Sequence, residues 1–411
     1  MGMHRGRGLR AVLAGSLVFG TVVVGLAIGG EVPASATTPT VVNCNAGGNL
    51  QTAIGAAPSG STLIVHGTCT GDFTISQSLT LQGSGTLSGS GSNGPVLTIS
   101  SGTVFLNNLT IENGYLAGIY NFGTLTLNNS IVSGNSGYGG FINFGTLTLT
   151  NSTVSGNNND YYGGIASEGT VTLTNSTVSG NLNAQHGGGI YNVDGTVSLS
   201  NSTISGNSAS LGGGIFNAFG TIEQPSTDRG GVSINSNTSS ENGGGIYNWG
   251  GTVSLSNATI NKNNAVNGGG VYNLNGDIYY VSTLTAGNTS VNNNTATGNG
   301  GGIDNEGGTV NLPDTTVNGN SAVNGGGVYN DVSNGGVGSL TASDTSINRN
   351  TASGDGGGID NNGGAVSLTT SVSVNSNTAV SGGGIYSTVV LSPPVPAGVV
   401  VHNTPDNIVV V

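Results

Sequence analysis

Apolar and polar residues alternate over short stretches along most of the chain, as in Thr196-Val197-Ser198-Leu199-Ser200. A period of two with β-branched enrichment predicts short, half-buried strands, and the 3.6-residue apolar period of a helix is missing from this region. The pattern also recurs on a longer scale. GGGIYN or a close variant places an apolar landmark at Ile119, Phe141, Ile165, Ile190, Ile215, Ile246, Val271, Ile303, Val328, Ile359 and Ile385. Between each landmark and the next stands (Ile or Val)-x-x-Asn, ending at Asn135, Asn157, Asn181, Asn207, Asn237, Asn263, Asn294, Asn320, Asn350 and Asn377. Spacings of 22 to 32 residues are too short for ankyrin or TPR helices. A single unit of this kind cannot bury its apolar side, but stacked units pair every strand with its counterpart above and below. The expected fold is all-β, a parallel solenoid.

The sharp corners of such a coil need residues that tolerate positive φ, and Gly and Asn supply them. Asn aligned at one corner can hydrogen-bond along the stack, each amide satisfying its neighbour. A second polar column falls two residues after the landmark, running Asn121, Asn143, Ser167, Asn192 and onward to Ser387. N-x-S/T matches such as Asn151-Ser152-Thr153 follow from these columns and are not read as glycosylation sites. An open solenoid end exposes strand edges and core, so both ends need caps. Leu50, Ala53, Ile54 and Ala57 lie at i, i+3, i+4 and i+7 behind Asn49, which predicts a short amphipathic capping helix with an Asn N-cap. The only two cysteines, Cys44 and Cys69, flank this helix and the first strand. A disulfide between them would pin the cap to the first coil, free thiols being the alternative. The proline-rich stretch from Ser392 to Ala397 and the apolar tail after it predict a cap at the other end.

Composition narrows the function more than the fold. Of 411 residues 77 are Gly and only 6% are charged, with a formal net charge of −12. Three of the six Lys and Arg residues stand in the first ten positions, leaving Arg229, Lys262 and Arg349, so nucleic-acid binding through a basic surface is excluded. The basic start, the apolar stretch from Ala11 to Ile28 and the Ala34-Ser35-Ala36 site predict a secretory signal peptide cut after Ala36, with an uncleaved anchor as the alternative. The expected organisation is a signal peptide over 1–36, an N-terminal cap over 37–61, β-helix repeats over 62–388 and a C-terminal cap over 389–411. The mature chain is expected to be extracellular and to lack a membrane span.

The repeat resembles that of the secreted right-handed parallel β-helix proteins of the pectate-lyase-like superfamily, in particular the polymorphic outer membrane protein type. There GGA(I/L/V) alternates with FxxN; here the counterparts are GGGI at Gly187 to Ile190 and (I/V)xxN at Ile204 to Asn207. The resemblance implies a single-stranded right-handed parallel β-helix over about Leu50 to Val411. Ile or Val replaces the phenylalanine throughout, and no transporter barrel follows the repeats.

Related lyases and hydrolases combine clustered acids with a basic residue, and such sites need positive charge beside an acidic sugar. The three basic residues do not share a column with an acidic pair, the histidines are scattered, and no catalytic residue is assigned. Two features remain as candidate sites. Landmark alignment brings Asp304, Glu306, Asp331 and Asp360 onto neighbouring coils roughly 4.8 Å apart, a density that suits calcium, the one cofactor indicated, or that marks solvated surface acids. The column one residue after the landmark carries Tyr191, Phe216, Tyr247, Tyr272 and Tyr329, expected to point outward, either to grip a ligand or to pack cross-strand. Extra length falls in every second coil after Ile215, Val271 and Val328, and three insertions carrying Arg229, Tyr279, Tyr280 and Asp331 are expected to protrude from one face. The ridge and the Tyr column together are the expected binding face. The function expected is a surface-binding, adhesive or scaffold protein whose partner is a polysaccharide or cell-surface component; the alternative is a carbohydrate-active lyase or hydrolase on the same fold.

Overall fold

A computed structural model describes residues 38–158, 160–182, 184–225, 230–277 and 279–411; the cleavage site at Ala36 and Arg229 lie outside the described residues. The chain is a parallel β-solenoid. One turn is well represented by Ile190–Val193, Thr196–Ser200, Thr203–Ser205 and Ser208–Leu211, after which Ile215 begins the next. Each of these strands pairs in parallel with its counterpart one coil on, as in Ile190↔Ile215, Val197↔Ile222 and Ile204↔Ile234. Three long parallel sheets result among the described residues, called here the landmark sheet, the second sheet (Thr196–Ser200 type) and the third sheet (Thr203–Ser205 type). A fourth, of seven short strands from Ala184–His186 to Thr351–Ala352, is added in the later coils.

Alternation decides the core. Ile190, Val197, Leu199 and Ile204 point inward and are fully buried, as are Ile165, Val171, Leu173 and Val178 on the coil before. Burial of each such side chain is worth roughly 1.5–3 kcal/mol, which offsets the cost of ordering a chain so rich in glycine. The polar columns complete the interior. From Asn135 to Asn377 each (I/V)xxN asparagine donates through Nδ2 to Oδ1 of the next at 2.9–3.1 Å, ending on Asn403. The same Oδ1 accepts the backbone N–H of the asparagine one coil before, for example Asn237 N to Asn263 Oδ1 at 2.9 Å. A side chain thus satisfies backbone that the corner has taken out of the sheets.

The second column behaves alike from Asn192 through Asn361, with Nδ2 to Oδ1 distances of 2.8 Å. It is interrupted once. Asn143 donates to Ser167 Oγ at 3.0 Å, but serine is too short to continue to the next coil, and Asn192 Oδ1 is left buried without a partner.

Both ends are closed. Helix Leu50–Ala56 buries Leu50 and Ile54, and Asn49 caps it by accepting from Thr52 N at 2.9 Å. Cys44 and Cys69 are bonded, with Cα atoms 5.1 Å apart. Such bonds form and persist in oxidising compartments outside the cytoplasm. At the other end Leu391 and Val395 pack against the core, while Val400–Val401 and Ile408–Val410 add a last strand to the third and landmark sheets. Among the described residues no helix is long and apolar enough to cross a membrane.

Two outcomes follow from this packing. Ser167→Asn should restore the missing donor to Asn192 and stabilise the protein by about 1 kcal/mol, whereas Asn263→Ala, which strips buried partners on both sides, should cost about 2–4 kcal/mol in a denaturant titration. Replacing Cys44 and Cys69 with Ala should cost about 2–4 kcal/mol. The accompanying loss of hydrogen-exchange protection should be concentrated in helix Leu50–Ala56.

Candidate functional site

The outer side of the landmark sheet carries two columns, one and three residues after the landmark, and their chemistry changes partway along. In the earlier coils they are apolar: Tyr191, Phe216, Tyr247 and Tyr272 in one, Val193, Ala218, Trp249 and Leu274 in the other, gathered into a second apolar cluster separate from the main core. Ring centroids from Tyr162 through Tyr191, Phe216 and Tyr247 to Tyr272 follow at 4.6, 5.4, 4.9 and 5.1 Å. In the later coils the same columns hold Asp304 and Asp360, then Glu306 and Asp331, with Tyr329 between the two aspartates.

The first column does not face solvent as alternation suggested. Phe216, Tyr247, Tyr272 and Tyr329 are buried, and Tyr191 is half-buried. The cause is the triple-glycine turn. Its first residue, as at Gly300 (φ +62°), lies so close over the following strand that a Cβ there would stand 2.5 Å from Asp304 Cβ. Only a residue with no side chain and free access to positive φ lets the chain fold across the sheet's outer face. His186, also brought here, packs edge-on to Phe216 at 5.1 Å, and burial lowers its pKa.

This cover has an electrostatic consequence. Asp304 is fully buried and neither of its carboxyl oxygens has a hydrogen-bond partner. Burial first, then Glu306, Asp331 and Asp360, holds its pKa well above the ordinary carboxylate value. Asp360 is pushed up to about 7 by burial and by Asp355 and Asp331. Burial also raises Glu306, against the opposing effect of hydrogen bonds with Tyr272 and Ser333. Tyr329 donates to Asp331 Oδ2 at 3.3 Å and accepts from Asn362 at the same distance. Among the described residues no group of three or more such side chains is disposed to hold a metal ion. The four acids expected to bind calcium are neighbours, and burial raises the pKa of three of them, Asp304, Glu306 and Asp360.

The insertions do not share one corner. The first lies between the second-sheet strand Thr221–Glu223 and the third-sheet strand Ser233–Asn235, whereas the other two lie after the landmark strands Val271–Leu274 and Val328–Ser333 and before the next second-sheet strands. Equal spacing from the landmark concealed this difference, because the spacing counts residues on both sides of the second-sheet strand. Nor do the insertions stand apart. Asn334 Nδ2 donates to Asn275 O at 2.8 Å across the plain coil between them, directly over Gly307. One pair of coils earlier, Phe219 reaches over Gly250 to meet Tyr280, with centroids 4.9 Å apart, and also packs on Trp249 at 4.6 Å.

Phe219 holds φ +58°, where the preceding and following coils carry Asp194 and Gly250. A bulky side chain in this region is strained. Tyr279 is 78% exposed and Tyr280 is exposed beside it, while Phe219 and Trp249 are half-buried. Trp249 and Phe219 are the residues that sequence reasoning passed over; the single Trp, three positions after a landmark, was the available signal.

The carboxyl shifts set a pH dependence. A carboxyl whose folded pKa is raised stabilises the fold fully below its unfolded value, near 4, and this contribution is lost as pH rises through the folded value. Melting temperature should therefore fall by a few degrees between about pH 5 and about pH 8, and Asp304→Asn with Asp360→Asn should flatten the profile.

No family model, curated protein or solved structure matches this chain.

Proposed function

We propose that this is a secreted, non-catalytic surface-binding protein of the right-handed β-helix type, and that the aromatic cluster of Phe219, Trp249, Tyr279 and Tyr280 is its contact with a polysaccharide or cell-surface glycan. The observation that carries this reading is the contact of half-buried Phe219, held at positive φ, with Trp249 and with the exposed Tyr280, next to the exposed Tyr279, on the side of an otherwise small-residue solenoid. Aromatic faces with a polar edge suit the apolar faces and hydroxyl rims of sugar rings. Phe219 and Trp249, fixed on the stacked coils beneath the insertion, lose little freedom on binding, which favours affinity from a small contact. The buried acids fit an enzyme less well, since Asp304 is closed to a substrate and the charged groups acting on it, Glu306, Asp331 and Asp360, are all acids.

Trp249 is the only tryptophan, so its fluorescence reports on the site directly. Titration with soluble oligosaccharides should shift and saturate the Trp249 emission, and Tyr280→Ala should weaken binding at least tenfold without lowering the melting temperature by more than a few degrees. Undiminished binding by Tyr280→Ala together with Tyr279→Ala would overturn this assignment. Release of reducing ends or unsaturated sugars from any polysaccharide would favour the lyase or hydrolase reading instead.

A further inference from the structure

The solvent side of the second sheet carries an array of hydroxyls that the fold does not require. In Thr124–Asn128, Thr146–Thr150 and Thr170–Thr174 the second and fourth residues are fully buried core and the first, third and fifth point outward. Pairing is in unbroken register, Thr124↔Thr146↔Thr170 and Thr126↔Thr148↔Thr172, with Asn128, Thr150 and Thr174 as the third file. The first file is longer still, with threonine on nine consecutive coils from Thr103 to Thr309. Among the described residues Glu223 is the only Asp, Glu, Lys or Arg in the strands of this sheet.

Stability does not explain the choice of residue. The neighbouring ladder uses these threonines through backbone carbonyls, Asn121 Nδ2 donating to Thr146 O at 3.0 Å and Asn143 Nδ2 to Thr170 O at 3.2 Å, and any residue offers a carbonyl. An exposed strand position accepts Val, Ile, Tyr or Lys as readily as threonine. What only repeated threonine provides is a hydroxyl and a methyl together, here at eight of the nine nodes of a grid, with Asn128 at the ninth. Strand spacing sets one edge of the grid at about 4.8 Å, and alternate residues set the other at about 6.6 Å. The side chain is β-branched and stiff at χ1, so each hydroxyl is held before anything binds. The asparagine ladders keep successive coils in register, which opposes the twist that would otherwise skew such a grid.

We infer that this threonine face binds ice. The shorter grid edge lies close to the shorter repeat of the prism face of the ice lattice, and the longer edge falls somewhat below the longer repeat, a difference that rotation about χ1 of the threonines can take up. Hydroxyls so placed can enter a water lattice as donors and acceptors while the methyls hold water in cages between them. Charged groups, with tightly held radial hydration, would disrupt both effects, and the face is almost free of them. The ligand is a surface rather than a molecule, so affinity grows with the number of nodes engaged together.

The test is ice growth in a nanolitre osmometer. The purified protein should shape ice crystals into facets and open a gap between melting and freezing points that widens with concentration. Thr148→Tyr, at the centre of the grid, should reduce the gap at least fivefold while leaving the protein's melting temperature unchanged. Thr148→Val, which keeps the shape and removes one hydroxyl, should give a smaller loss. Thr259→Tyr on the third sheet should leave the gap unchanged. Round crystals with no gap for the wild type, or full activity in Thr148→Tyr, would overturn the inference, as would binding of this face to crystalline polysaccharide with ice growth untouched.

Discussion

Hydrogen bonding between a buried corner asparagine and the coil next to it is the interaction on which the rest of the structure depends. A solenoid turns its chain sharply at every corner, and each turn removes backbone N–H and C=O groups from the sheets while they remain buried. Leaving one such group unpaired costs about 1–3 kcal/mol. Asparagine solves this with one side chain, as Asn263 shows: its Nδ2 donates to Ile234 O and Asn294 Oδ1, and its own Oδ1 accepts from Asn237. Register then follows, since a slip of one residue in any coil would break the column and turn the core side chains outward.

With register held this way, the rest of each coil is free to vary. Chain can be added while the ladder beside it continues, as where Asn273 and Asn330 still donate to Ser282 O and Gly338 O at the far ends of their insertions, and it has been added at two different corners, because lengthening a surface loop costs little. The plain coils answer with glycine, and Gly250 and Gly307 leave room for Phe219 to reach Tyr280 and Asn334 to reach Asn275. A ridge built in this way is continuous across coils of unequal length. The same freedom allows the second sheet to carry threonine on coil after coil while its core face stays aliphatic.

The covered face of the landmark sheet shows what the ladder does not control. There the column passes from stacked rings to Asp304, Tyr329 and Asp360 without any change in backbone pairing. The aromatic stretch adds a second apolar cluster, whereas the acidic stretch buries carboxyls whose pKa values burial and mutual repulsion raise. A chain expected to work outside the cytoplasm with few charges thus has a region whose stability increases in acid.

The sequence by itself determined the fold class, the coil boundaries, both asparagine columns, the capping helix and the cysteine pair. Each is fixed by local periodicity or by residues such as Asn and Gly with one strong conformational use, and stacking identical units carries a local rule through the whole chain. What only the tertiary structure decided is which outward positions meet water. Alternation separates core from non-core, so it placed Tyr247 and Asp304 outside the core correctly; it could not register that the glycine turn before Ile246 or Ile303 folds across them, because that contact joins segments with no shared period. The meeting of Phe219 with Tyr280 and the separation of the insertions onto two corners were hidden for the same reason. They depend on distances between side chains of different coils, and residue spacing along the chain does not encode those distances.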